Sequence, residues 1–250
     1  MRESREQQIL DYLQKHNLAT VQQLVYFTGA SASTIRRDLI KLNAERRVYR
    51  VHGSVSLADA VHQPTTSEKV KLNRAAKLRI AAAAAELIHD GDSLVLDAGT
   101  TTIELARLLL NKSVRIITTD LNIAMLLIDH PGISVAITGG ILDASSQSCI
   151  GELARSMLRH IHPTYTFISC NAWDAQLGIT APTAEKAGLK SELLHLGGKA
   201  VLLADSSKYG KSQLFEVGHL QELDMVITDH DLPAQSAKTL EREGISVQLV

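Results

Sequence analysis

From Gly91 onward, short runs of β-branched and aliphatic residues alternate with helix-period segments, and that alternation leaves few folds open. The runs fall at 93–97, 114–119, 133–138, 165–170, 200–205, 225–228 and 246–250, with helical spacing between them, as at 102–110 and 121–129. A chain with this pattern is expected to form an α/β domain, a mostly parallel sheet with helices on both faces. The apolar content, 45%, is ample for such a core and excludes disorder as the main state. No apolar run approaches the ~18–20 residues of a membrane span; 80–87 and 105–110 are short and bounded by charge. The opening Met-Arg-Glu-Ser-Arg-Glu-Gln-Gln lacks an apolar stretch, so no signal peptide is expected. Two cysteines, Cys149 and Cys170, make no CxxC and no disulfide framework. Together these features predict a cytoplasmic protein without membrane contact.

Charge divides the chain. Residues 1–79 hold 14 Lys/Arg against 7 Asp/Glu, whereas 80–250 hold 12 against 20, for a net charge of −1 overall. A basic front end on an acidic body suits one part that meets nucleic acid and another with a different task.

The front end has a helical pattern. Ile9, Leu10 and Leu13 make an apolar stripe over about 2–15, ended at Asn17. Thr20 followed by Gln23 reads as a capping box opening a short helix with Val21, Leu24 and Val25 inward, stopped at Thr28-Gly29. Ser31 or Ser33 then caps a third helix over about 34–44. On that helix, with Ile35 at zero and 100° per residue, Leu39 and Leu42 fall at about 40° and about −20°, a narrow core stripe. Ser33, Thr34, Arg37 and Lys41 fall away from it, with Arg36 flanking and Asp38 near its edge. Hydroxyls and arginines on the first turns of such a helix suit base-edge reading in a major groove, and its amides suit a phosphate. Arg46 to Leu57, with Val48 and Val51 among cations and a Gly turn, reads as a hairpin wing whose Arg50 and His52 face the DNA backbone or minor groove. The predicted DNA contacts are therefore Ser31, Ser33, Thr34, Arg36, Arg37, Lys41, Arg50 and His52.

These residues carry a resemblance. The string Ser33-Thr-Ile-Arg-Arg-Asp-Leu39, then Leu42, then Arg50-Val-His-Gly53, resembles the N-terminal signature of the DeoR family of bacterial transcriptional regulators. The usual form ends His-Gly-Gly, where this chain has Ser54, and Arg46 stands where a Gly usually closes the third helix.

The polar, Pro-containing stretch 58–67 is the expected linker, giving a winged helix-turn-helix over 1–57 and an α/β domain over 68–250. The basic stretch that follows (Glu68, Lys69, Lys71, Arg74, Lys77, Arg79) reads as a solvated face, and the Ala run 81–85 as close helix packing.

The strand ends hold the chemistry. They read Asp97-Ala-Gly-Thr-Thr-Thr102, Thr118-Thr-Asp-Leu-Asn122, Thr138-Gly-Gly140, Cys170-Asn-Ala-Trp-Asp174 and Asp205-Ser-Ser-Lys208. Ligands of open α/β sheets bind beyond the carboxyl ends of strands. Thr100, Thr101 and Thr102 after Gly99 can cradle an anionic oxygen, Lys208 can supply charge, and Asp97, Asp120 and Asp205 can accept sugar hydroxyls. Alone, each loop is an ordinary turn; together they call for a small, polyhydroxylated anion such as a sugar phosphate. The resemblance continues here through Gly178-Ile-Thr, Glu185…Lys190 and Asp205-Ser-Ser-Lys-Tyr-Gly210, so it covers nearly the whole chain. It implies a domain similar to sugar-phosphate isomerases that senses phosphorylated sugars, with Asp97, Gly99, Thr100, Thr101, Thr102, Asp120, Asn122, Gly139, Gly140, Lys190, Asp205, Ser207 and Lys208 at the effector. Asn171-Ala-Trp173-Asp174 departs from the family's Gly-containing stretch, so Trp173 is expected either to reshape the pocket or to stack on a ligand.

His160-Ile-His162 has no companion ligands, no GxGxxG or GxxxxGK[ST] occurs, and neither metal nor cofactor is expected. The expected function is a repressor of a carbohydrate operon, binding operator DNA as a homo-oligomer (dimer or tetramer) and responding to a small phosphorylated sugar. The rival is an isomerase-like enzyme that carries a DNA module; it would need a free base, for which Asp97 and Asp174 are the candidates. A scaffold that binds nothing is the third possibility.

Overall fold

The computed structural model describes residues 4–16, 18–45, 47–51, 54–57 and 66–250. The chain divides into two compact units, Met1–Gln63 and Pro64–Val250. Most of the expected linker, 58–65, together with Asn17, Arg46, His52 and Gly53, lies outside the described residues. Thr66 and Ser67, read as linker, instead open a helix of the second unit.

The first unit contains α1 (Arg5–His16), β1 (Leu18–Thr20), α2 (Val21–Thr28), α3 (Ala32–Ala44), β2 (Val48–Val51) and β3 (Ser54–Leu57). The capping box forms as expected: the Gln23 amide donates to Thr20 Oγ1 at 3.2 Å, and the Thr20 amide donates to Gln23 Oε1 at 2.8 Å. Gly29 closes α2 at φ 69°, a left-handed turn that an L side chain would strain. Ser31 caps α3 by accepting from the Thr34 amide at 3.3 Å, so the helix starts two residues before the expected Thr34. Ile9, Leu13, Leu24, Ile35, Leu39, Leu42, Val48 and Val55 are sealed in one core. The hairpin β2–β3 forms, and β1, which the sequence reading missed, adds a third antiparallel strand through Ala19 opposite Val55.

The second unit runs α4 (Thr66–Lys71), α5 (Arg74–Glu86), β4 (Ser93–Leu96), α6 (Thr100–Leu108), β5 (Val114–Thr118), α7 (Leu121–Leu127) and β6 (Ile133–Ile137). It continues with β7 (Ile141–Asp143), β8 (Ser148–Ile150), α8 (Glu152–Leu158), β9 (Tyr165–Ser169), β10 (Ala172–Asp174), β11 (Gly178–Ala181) and α9 (Ala184–Leu194). Last come β12 (Lys199–Leu203), β13 (Phe215–Gly218), β14 (Met225–Thr228), α10 (Ala234–Arg242) and β15 (Val247–Leu249). A seven-stranded sheet, ordered β15-β14-β12-β9-β4-β5-β6 with every pairing parallel, uses the seven runs read from the sequence. Both faces are covered, and the period of two is visible. Leu94, Leu96, Phe167, Val201, Leu203 and Ile227 enter one core with Ile80, Ala81 and Ala84 of α5. Val95, Ile168, Leu202 and Val226 enter the other with Leu189 and Leu193 of α9. Three short antiparallel strands, β10-β11-β13, and the hairpin β7–β8 sit apart from this sheet in the hydrogen-bonding pattern.

Chain order sets where a ligand can enter. From β4 the chain steps to β5 and β6 on one side, and β9 returns to pair on the other side of β4. The crossovers above β4 and β9 therefore diverge, opening a crevice at their carboxyl ends.

Candidate functional site

In the first unit, α3 is amphipathic as expected, but its outward face is partly occupied. Asp38 takes a bidentate contact from Arg5 of α1, with Nε 2.5 Å from Oδ2, and Lys41 pairs with Glu6 of α1 at 2.8 Å. Each partner raises the affinity of its cation for the proton, by hydrogen bond first and charge second. Lys41 is thus committed to α1 rather than presented free. Ser31 Oγ lies 2.9 Å from Ser33 Oγ and 2.8 Å from Thr34 Oγ1, so the three predicted hydroxyl contacts are engaged with one another at the cap. Arg36 and Arg37 stand exposed on the same face. Arg50 lies on β2, and His52 is outside the described residues.

In the second unit the crevice gathers predicted and unpredicted residues. Asp97, 1% exposed at the end of β4, accepts from the Ala98 amide at 2.8 Å and the Ser169 amide at 3.0 Å, and is ion-paired with Lys190 of α9. Lys190 also donates to the Ser169 carbonyl at 2.6 Å, so one ammonium stitches β4 to β9. A Cβ on Gly99 would collide with Ser169, which is why the chain can pass only as glycine there. Thr102, fully buried, donates to the carbonyls of Asp97 and Gly99, both at 2.7 Å. It shapes the turn and is not an open ligand contact; Thr100 and Thr101 are likewise buried. Thr101 Oγ1 is a buried hydroxyl without a hydrogen-bond partner among the described residues.

Asp120 corrects another expectation. Its side chain is fully buried and caps α7, accepting from the Asn122 and Ile123 amides at 2.7 and 3.4 Å and from the Gly99 amide at 3.3 Å. Burial outweighs those bonds and raises its pKa. In this arrangement its oxygens hold two strand-end loops together. Asn122 bonds Asp120 at 3.0 Å and Gln147 at 3.2 Å. Gly139 and Gly140 turn the chain from β6 into β7 at φ 70° and 110°, and a Cβ on Gly140 would sit 2.6 Å from the Ile150 carbonyl oxygen. Trp173 does not line the crevice: it is sealed in the core, edge-on to Tyr209 at 4.8 Å.

Asp205 closes the far side. It accepts from Asn73 Nδ2 at 2.9 Å, is hydrogen-bonded by Ser207 and lies 3.5 Å from Lys208 Nζ. Burial would raise its pKa, but Lys208, Ser207, Asn73 and Lys77 together hold it below the usual carboxylate range. Four further residues contribute that no sequence pattern marks. Lys186 of α9 pairs with Asp143 at 2.7 Å and donates to Ser145 at 2.8 Å. That contact and the serine hydroxyls depress Asp143 despite its burial. Lys69, half-buried, donates to Asn171 Oδ1 at 3.3 Å, and Lys77 is 3% exposed, so neither belongs to a solvated face. Asn73 is the fourth. Burial, then Lys186, Lys208 and Lys190, push the Lys69 ammonium down to about 8. Four lysines, Lys69, Lys186, Lys190 and Lys208, therefore stand near one another at the carboxyl edge of the sheet, three of them paired with carboxylates.

Fold and crevice define the class: a helix-turn-helix unit followed by a parallel α/β sensor unit. Two family models match in that order, the DeoR-like helix-turn-helix domain over residues 5–61 and the DeoR C terminal sensor domain over residues 72–230. The chain belongs to the DeoR family and is a DNA-binding transcriptional regulator. It is 33% identical to an uncharacterised HTH-type transcriptional regulator of Haemophilus influenzae, covering 98% of this chain and 96% of that one. It is equally 33% identical to the HTH-type transcriptional repressor GlcR of Bacillus subtilis, covering 96% and 93%. Among solved structures it overlaps ribose 5-phosphate isomerase A of Methanocaldococcus jannaschii over 55% of each chain, at 19% identity and a TM-score of 0.41.

Proposed function

We propose that the protein represses an operon of carbohydrate metabolism. The first unit holds operator DNA through Arg36 and Arg37 of α3, supported by the cap hydroxyls, Arg50 and His52. The crevice of the second unit binds a small phosphorylated sugar that changes operator affinity. The convergence of Lys69, Lys186, Lys190 and Lys208 beside carboxylates on the strand ends carries this reading: cations for a phosphate, oxygens for hydroxyls. The repressor name of the GlcR relative supports the sign of regulation.

Binding without turnover is the better reading of this site. Asp97, the first carboxylate named for an enzymatic rival, has both oxygens engaged by Lys190, Ser169 and Ala98 and is not free to act as a base, while Asp174 accepts from the Gln176 amide at 2.8 Å through Oδ1 in the β10–β11 turn. We also propose that the protein works in the cytoplasm as a dimer or tetramer, because one such reading helix covers few base pairs. The exposed Met125, Ile128, Ile141, Leu142 and Leu153 supply apolar surface for that association.

A panel of phosphorylated and unphosphorylated sugars, read by thermal shift of the full chain, tests the site. At least one phosphorylated sugar is expected to raise the midpoint, its unphosphorylated counterpart to do nothing, and Lys208→Ala to abolish the shift. Lys208 serves better than Asp205, whose removal would strand Asn73 and Ser207. A panel without any shift, or a full shift in Lys208→Ala, rejects the assignment.

A further inference from the structure

β6 ends one side of the seven-stranded sheet, so one of its edges is open. The Val114 amide donates to the Gly132 carbonyl, and the Thr138 amide donates to the Thr118 carbonyl. Even-numbered residues from 132 to 138 therefore turn their peptide groups toward β5, while Val135 and Ile137 turn theirs outward. The Ile133 amide is already bonded to the His130 carbonyl, and the Ile133 carbonyl points outward with the other two. Open strands are ordinarily guarded by lysine, proline or a bulge. Ile133–Ile137 has none of these, and its register with β5 runs unbroken. The opposite edge, β15, is three residues long and follows the charged Glu241-Arg242-Glu243.

The surroundings of β6 are apolar as well. α7, which packs on it, exposes Met125 and, at its cap, Ile128, by 71% and 62%. β7, which follows it, exposes Ile141 and Leu142. Within residues 121–142 the only Asp, Glu, Lys or Arg is Asp129, in a chain that is 21% charged. Over 80–250 the body carries 20 Asp/Glu against 12 Lys/Arg, so two copies repel one another except across a surface without charge.

We propose that β6 pairs antiparallel with β6 of a second copy, about a two-fold axis at Val135, so that the two large sheets become continuous. The inference rests on the homo-oligomer reading above and names its interface. The open groups fit their own copy. Val135 lies opposite Val135 of the partner subunit, where each amide meets the other's carbonyl, and the Ile137 amide meets the carbonyl of the partner subunit's Ile133. An axis through the sheet keeps each face with its like, so α7 lies beside α7 and Met125 and Ile128 are covered by their own copies.

Sedimentation velocity of the full chain over a dilution series reads the association. Val135→Pro removes an outward amide and none of the bonds to β5, and is expected to weaken association about tenfold or more. Ile128→Lys brings two ammonium groups together in a desolvated contact and should weaken it roughly a hundredfold. Leu177→Lys, at an exposed leucine in the β10–β11 turn, should leave it unchanged. Thermal midpoints close to the parent's certify folding. The register has its own test, which stands even if Val135→Pro unfolds. Residues 134 and 136 of the two copies form a non-hydrogen-bonded pair with Cα atoms ~4.5 Å apart, within reach of a disulfide. Ser134→Cys and Ala136→Cys chains expressed together should therefore cross-link on mild oxidation, and each alone should not. Association unchanged in both Val135→Pro and Ile128→Lys, or no cross-link in the mixed chains, overturns the β6 interface and leaves the homo-oligomer standing. A parent that sediments as a monomer throughout the series overturns both.

Discussion

Lys190→Met is expected to destabilise the second unit by about 3–5 kcal/mol, the cost of leaving a buried charge without its partner. Asp97 is 1% exposed, and its remaining hydrogen bonds come from two backbone amides and the Ser169 hydroxyl, too few to replace an ammonium. The same lysine ties the ends of β4 and β9 through the Ser169 carbonyl, so the damage falls on the opening of the crevice. Urea unfolding followed by tryptophan fluorescence reads it directly, because Trp173 is the chain's one tryptophan and lies in the core of that unit. Replacing Asp97 by Asn as well should recover part of the loss, since the double variant buries no lone charge. A Lys190→Met midpoint within experimental error of the parent would show that the pair does not hold the site.

The second large effect concerns DNA. Arg37→Ala is expected to weaken binding to a selected operator duplex by about 1–3 kcal/mol, roughly 5–150-fold, if its guanidinium meets a guanine edge. Lys41→Ala, one turn on, should do much less, because Lys41 is already paired with Glu6 across to α1. The contrast matters more than either value. Equal losses would mean that both cations serve only the phosphate backbone; in that case each should also reduce the salt dependence by about one unit. Unchanged affinity for Arg37→Ala at fixed salt would remove α3 from the role of reader.

The large sheet was legible because its central strands are buried on both faces and so are written as aliphatic runs, as at Leu94–Leu96 or Ala200–Leu203. β1, β7, β8, β10, β11 and β13 were not. They are three or four residues long, and their pairing is decided by neighbours distant in sequence, as with Ala19 opposite Val55. The Thr20–Gln23 cap was legible because it is local. The Asp38–Arg5 and Lys41–Glu6 pairs span 33 and 35 residues and leave no local trace.

The crevice divides in the same way. Asp97, Lys190, Asp205 and Lys208 could be named because they end strands or repeat a family pattern. The capping role of Asp120 went unread although its signal is local: an Asp directly before Leu121, where a helix begins, is an N-cap. Lys69 sits in a run of cations that alternates with apolar and polar residues, and no periodicity marks which of them turns inward. Only the packing of α4 against the strand ends decides it.

In the proposed function a DNA reader in one unit is energetically linked to an anion crevice in the other. Fluorescence anisotropy of the full chain on a selected duplex from its own genome, at low ionic strength and with or without each phosphorylated sugar of the panel, measures that link. Tight, steeply salt-dependent binding that one compound shifts by roughly 5–150-fold is the predicted result. A chain that holds no duplex under these conditions, or holds one with an affinity that no compound alters, contradicts it.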